Sequence, residues 1–157
     1  MSTTEAIVDR VVAQMQAITN IGVVHDRMRL ALRGKKAYEL FTAEIGGERA
    51  LRAWLVHLGR LETKQADSGS RQQWDRTLLI EGFLEFDDDG SETSTIALAE
   101  SVIRALWVDA QATRLNSTIL LAHPPAIEAS EPRYFAGVVC SYVRLAMPVQ
   151  TLEAFST

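Results

Sequence analysis

Apolar residues recur at helical spacing near the N-terminus. Ile7, Val11, Met15 and Ile18 fall at i, i+4, i+8 and i+11, and Val8 and Val12 widen the stripe. This predicts a helix over 3–18. Ser2 and Glu5 stand in capping-box spacing at its start, and Asn20 and Gly22 end it. Residues 22–30, GVVHDRMRL, alternate and predict a short strand. A shorter helix over 35–45 follows, with Tyr38, Phe41 and Ile45 as its apolar face and Gly46-Gly47 as its stop.

Two segments rich in large apolar residues predict long strands over 49–61 and 73–86. In the second, Leu78, Ile80, Leu84 and Phe86 share one face around Gly82, and the other face is mixed. Between them lies ETKQADSGSRQ, too long and polar for a tight turn and so read as a loop. After the turn 87–91 comes a third helix, about 92–112, with Ala99, Val102, Ile103, Leu106 and Ala110 on its stripe. Asp89 and Glu92 again have capping-box spacing. Ser117–Ala122 predicts a strand, 126–133 a loop, and 134–147 a last strand ended by Pro148. The expected order is α-β-α-β-β-α-β-β. The fold class is α+β, a mixed, mainly antiparallel sheet carrying a single layer of about three helices, in one domain over 1–157.

The 157 residues, 47% hydrophobic and 23% charged, are enough for one self-sufficient core. The lone Cys140 rules out an internal disulfide, and the N-terminal segment lacks the pattern of a signal peptide. Both favour a reducing compartment. No apolar run is long enough to predict a membrane span. The net charge of −4 argues against general nucleic-acid binding. The charge is uneven. Residues 1–78 carry 12 Lys/Arg against 9 Asp/Glu, a net of +3, and residues 79–157 carry 4 against 11, a net of −7. If the halves formed separate faces, they would favour head-to-tail association; interleaving on folding would erase the pattern.

Catalytic patterns are weak. His25 and Asp26 point to opposite faces of a strand and cannot share a proton. His25, His57 and His123 lack zinc-ligand spacing. Glu85, Asp87, Asp89 and Gly90 resemble the start of a calcium loop, but its twelfth position is Ile96 and a strand precedes it. Cys140 has no base beside it in sequence, and no phosphate-cradling or nucleophile-elbow motif occurs. No catalytic, cofactor or metal residues are assigned. Trp107 reads as core. Trp74, between Arg71 and Arg76, reads as strand-end packing or an interface anchor.

The chain resembles the tail terminator, or tail-completion, proteins of long-tailed bacteriophages and prophages. The resemblance runs over about 3–147. It rests on the N-terminal helix followed by ITNIGVVHDRMR, on RAWLVHLGRLE, the polar loop and RQQWDRTLLIEGFLEF, and on ETSTIALAESVIRAL with its closing strands. It implies a non-enzymatic virion protein forming a ring, six-membered in that family. The ring caps the head-proximal end of the tail tube, stops tube polymerisation and offers an attachment surface for head joining. The implied partners are other copies, the tail tube protein and a head-completion or neck connector protein. DNA passes the lumen without specific binding.

The assembly-interface residues inferred from the sequence are His25, Arg27, Arg29, Glu62, Lys64, Arg71, Gln72, Trp74, Arg76, Asp87, Asp88 and Asp89. The basic run Arg27, Arg29, Arg33, Lys35 and Lys36 is read as a solvated or subunit-facing edge. Two alternatives stand beside this reading. One is another neck, connector or tail-tube subunit. The other is a small α+β ligand-binding protein or enzyme, which would need Asp75, Glu81, His57 and Arg144 to converge on a pocket.

Overall fold

The computed structural model describes residues 2–27, 35–65, 71–86, 91–113 and 119–154. Three helices and seven strands occur in this order: α1 (Thr3–Gln16), β1 (Val23–His25), α2 (Lys35–Phe41), β2 (Thr42–Ile45), β3 (Glu48–Gln65), β4 (Arg71–Glu85), α3 (Ser91–Thr113), β5 (Ile119–Ala122), β6 (Ala126–Phe135) and β7 (Val138–Ala154). They form one sheet in the order β1-β3-β4-β7-β5, with β2 also on β3 and β6 also on β7. Among the described residues only the β1–β3 pairing is parallel. The class is α+β.

The expected N-terminal helix forms, and its capping box closes. The Ser2 N–H donates to Glu5 Oε2 at 2.6 Å, and the Glu5 N–H donates to Ser2 Oγ at 3.2 Å. Ile7, Val8, Val11 and Met15 are buried, as the stripe requires. On α3, Thr95, Ala99, Val102 and Leu106 are fully buried. These two helices cover one face of the sheet, packing on Trp54, Val56, Leu78, Ile80, Val143, Leu145 and Met147. The short α2 stands apart from that layer. Its Phe41 joins Leu51, Leu55, Phe83 and Tyr142 on the opposite face.

Trp54 anchors the larger core. It is directly opposite Gly82 on β4, and a Cβ at Gly82 would lie 2.7 Å from the indole Cζ3. The bare glycine lets the ring lie flat across β4, and the indole N–H donates to the Ile21 carbonyl at 2.9 Å.

Several expected boundaries move, each for a local reason. The helix expected over 35–45 ends at Phe41. Thr42–Ile45 is a strand, because Gly46 and Gly47, at φ 62° and 87°, make a two-residue hairpin turn into β3 rather than a helix stop. The polar loop expected over 62–72 is largely strand, since β3 runs to Gln65 and β4 starts at Arg71. Polar composition there marks a solvated ribbon. The strand expected over 134–147 is broken by Ala136 and Gly137, at φ 51° and 82°, a second such turn. The expected loop over 126–133 is the edge strand β6. Pro132 fits there because its pair with Ser141 is three alternating steps from the hairpin-closing pair Phe135–Val138, which puts it at a non-hydrogen-bonded position of an edge strand.

Pro148 does not end β7. Its carbonyl accepts from the His123 N–H at 3.0 Å, on the edge where β7 exchanges β6 for β5, so the missing N–H faces that gap and takes no bond from the β4–β7 ladder. The strand expected over 22–30 is shorter: β1 covers Val23–His25, and residues 28–30 lie outside the described residues.

Candidate interface and polar network

The chain halves interleave. β4 crosses residue 78 and pairs with β3 from the first half and β7 from the second. The charge asymmetry along the sequence therefore does not map onto two faces.

The residues expected at an interface scatter. His25 turns inward: its Nε2 is 2.9 Å from the Leu40 carbonyl, and its ring meets Phe41 edge-on. Arg27 is exposed and pairs with Asp26 at 3.3 Å. Glu62 is exposed and pairs with Arg60. Lys64 reaches Asp75 at 2.9 Å across the β3–β4 ladder. The Gln73 amide, then Lys64, hold the Asp75 carboxyl below its ordinary pKa. Arg71 is exposed at the start of β4, and Gln72 is flanked by Gln65 and Glu153. Trp74 is half-buried, with the Arg76 guanidinium 5.3 Å from its ring centroid. Arg29 and Asp87, Asp88 and Asp89 lie outside the described residues.

Arg76 is not on the surface, which corrects its assignment as a contact residue. Its side chain is 3% exposed and ties three elements together. Nε donates to Thr4 Oγ1 at 2.9 Å, Nη1 to Thr151 Oγ1 at 2.6 Å, and Nη2 to Glu153 Oε1 at 2.9 Å. A planar fork of donors is what lets one side chain hold α1, β4 and β7 at once. Trp107, expected in the core, is 40% exposed on α3.

Exposed apolar groups gather elsewhere. Phe86, Val139 and Tyr134 follow one another across β4, β7 and β6, since the Phe86 N–H donates to the Val139 carbonyl and Val139 faces Tyr134. They are 43%, 40% and 81% exposed and occupy the face that carries α1 and α3. The sequence marks this row only faintly, as an aromatic before an Ala-Gly turn, because exposure depends on where the helices end.

On the opposite face a polar network centres on Glu81. His57 Nε2 lies 2.8 Å from Glu81 Oε2, and Tyr142 Oη donates to Glu81 Oε1 at 2.5 Å. The carboxylate accepts both bonds, so Nε2 of His57 carries the proton. Burial raises the Glu81 pKa, but the bonds from Tyr142 and His57, with the charges of His57 and Arg144, outweigh it and bring it below the ordinary value. Arg144 Nε is 3.2 Å from Glu128, and the Arg133 guanidinium stacks on the Tyr142 ring at 3.9 Å. Of the four groups expected to converge in an enzyme, His57, Glu81 and Arg144 come together. Asp75 lies six residues along β4 from Glu81, about 20 Å away. Among the described residues no cluster of three or more His, Cys, Asp or Glu could hold a metal ion.

The network makes stability sensitive to alkali. Burial, then the bond to Glu81, pushes the Tyr142 hydroxyl up to about 12, and burial, then the charge of Glu85, pushes the Cys140 thiol up to about 11. A pKa raised on folding adds stability that is complete below the unfolded value and is lost as pH rises through the folded one. Stability is thus expected to fall from about pH 9 to about pH 12, with Tyr142 contributing on the order of 2–3 kcal/mol. Urea unfolding across that range measures it. Tyr142→Phe flattens the upper limb of the loss; an unchanged limb contradicts the assignment.

A cavity of about 410 Å³ opens between the first turns of α1 and the outer edge of β3. Thr4, Val8 and Leu58 line it, with Glu5, Asp9, Asp26, Arg27 and His57 around its mouth. Compared with protein-family models and with curated proteins, the chain matches none.

Proposed function

We propose that the chain is a structural subunit that closes head to tail into a ring at the head-proximal end of a phage tail tube, where it stops tube growth and presents the head-joining surface. The observation that supports this most is the row Phe86–Val139–Tyr134. Large apolar groups lined up in water at one corner of a sheet are a feature of surfaces that another protein covers. The partners of this reading are further copies, the tail tube protein and a head-completion or neck connector protein, within the virion.

Tube protein polymerising alone and with added chain, imaged by negative stain, tests the proposal. Shorter tubes bearing a ring at one end are expected. Tubes of unchanged length with bare ends would overturn it. A second reading, a small ligand-binding protein, is favoured by His57, which lines the cavity and is bonded to Glu81 of the polar network. A small ligand that shifts the His57 imidazole resonances and leaves tube growth untouched would select it.

A further inference from the structure

We propose that Tyr134 at the tip of the β6–β7 hairpin of one copy seats in the cavity between α1 and β3 of the next copy. This inference rests on the ring reading and names its self-contact. Tyr134 is the most exposed large apolar residue described, at 81%, and it stands beside a tight turn that holds it out from the sheet. A tyrosine combines a rigid apolar body with an O–H that seeks an acceptor when covered.

The cavity offers the matching chemistry. Its lining includes the apolar side chains of Val8 and Leu58 beside Ser2 and Thr4, and its volume of about 410 Å³ lies within the range of pockets that take a group of this size. Its mouth carries three carboxylates, Glu5, Asp9 and Asp26, against one guanidinium, Arg27. The surplus of acceptors faces a knob that brings a donor, the Tyr134 hydroxyl.

Knob and cavity cannot meet within one subunit. Leu58 faces Leu78, whereas Tyr134 is level with Phe86, eight residues farther along β4 and three strand spacings across. That separation is about 30 Å. Only a second copy brings them together. Because knob and cavity are different surfaces, each contact leaves one of each unused, and the chain of contacts ends only by closing on itself.

The test uses the full chain and its mass in solution by light scattering. Tyr134→Ala removes the knob, and Leu58→Lys blocks the cavity. Asp9→Lys at its exposed mouth is the second cavity variant, in case Leu58→Lys fails to fold. Each alone is expected to weaken self-association at least tenfold while the circular dichroism spectrum is unchanged. A mixture of knob and cavity variants retains one good contact and is expected to stop at a dimer, twice the 17.4 kDa subunit. Rings that persist in the variants would overturn the knob and leave the ring reading standing. A mixture that stays monomeric would also overturn the knob. A wild-type chain that is monomeric even on tail tubes would overturn both.

Discussion

Trp54→Ala is expected to destabilise the protein by about 4 kcal/mol, the largest effect of any single side-chain truncation. The indole is fully buried and fills the space that Gly82 leaves open on the neighbouring strand. Its removal leaves a cavity that the surrounding sheet is too stiff to close. It also strips the Ile21 carbonyl of its donor, at the point where the turn after α1 meets the sheet. A domain of this kind has about 5–15 kcal/mol in total, so the variant is expected to be partly unfolded at modest urea concentrations. Equilibrium urea unfolding checks this. A loss below about 1.5 kcal/mol would mean that the core does not hinge on the Trp54–Gly82 pair. Adding bulk at Gly82 tests the same contact from the other side, since the indole has no room to retreat.

Arg76→Met is expected to cost about 3 kcal/mol, even though methionine keeps much of the apolar stem. The Glu153 carboxylate, 25% exposed, would lose its ion-pair partner, and the Thr4 and Thr151 hydroxyls would lose their donor. Lysine is no remedy, because one ammonium cannot reproduce a fork that spans α1, β4 and β7. A double-mutant cycle with Glu153→Gln measures the coupling. A value of about 1–2 kcal/mol is expected, and one near zero would mean that the two charges are solvated independently.

Much of the architecture was legible in the sequence, for identifiable reasons. The α1 stripe and its capping box, the α3 stripe and the apolar faces of β3 and β4 all follow from periodicity, and periodicity is what burial against one sheet face imposes. The misread segments share a different cause. Gly46-Gly47 and Ala136-Gly137 are both hairpin turns at positive φ, and Ala136 carries no strong sequence mark of that conformation. The polar ends of β3 and β4, and Pro132 in β6, look like loop because they are solvated or at a sheet edge, where composition stops reporting on backbone pairing.

The same limit applies to the candidate surface. Arg76 looked like a surface cation beside Trp74. Its burial depends on Thr4, 72 residues away, which no local pattern encodes. Nothing in EPRYFAG distinguishes a tyrosine held out into water, as Tyr134 is, from one folded onto the sheet. The network around Glu81 is half legible. His57, Glu81 and Arg144 were candidates from their places on mixed strand faces. Tyr142 joins them only through the β4–β7 register, in which Phe83 rather than Glu81 is its direct partner.

Light scattering on the purified protein over a wide concentration range, alone and with tail tubes, is the sharpest test of the proposal that the chain closes into a ring with copies of itself. A closed species of fixed mass, a small integer multiple of 17.4 kDa, is expected either in free solution or once tubes are present. A subunit that remains a monomer at every concentration and leaves the tubes bare would overturn the proposal.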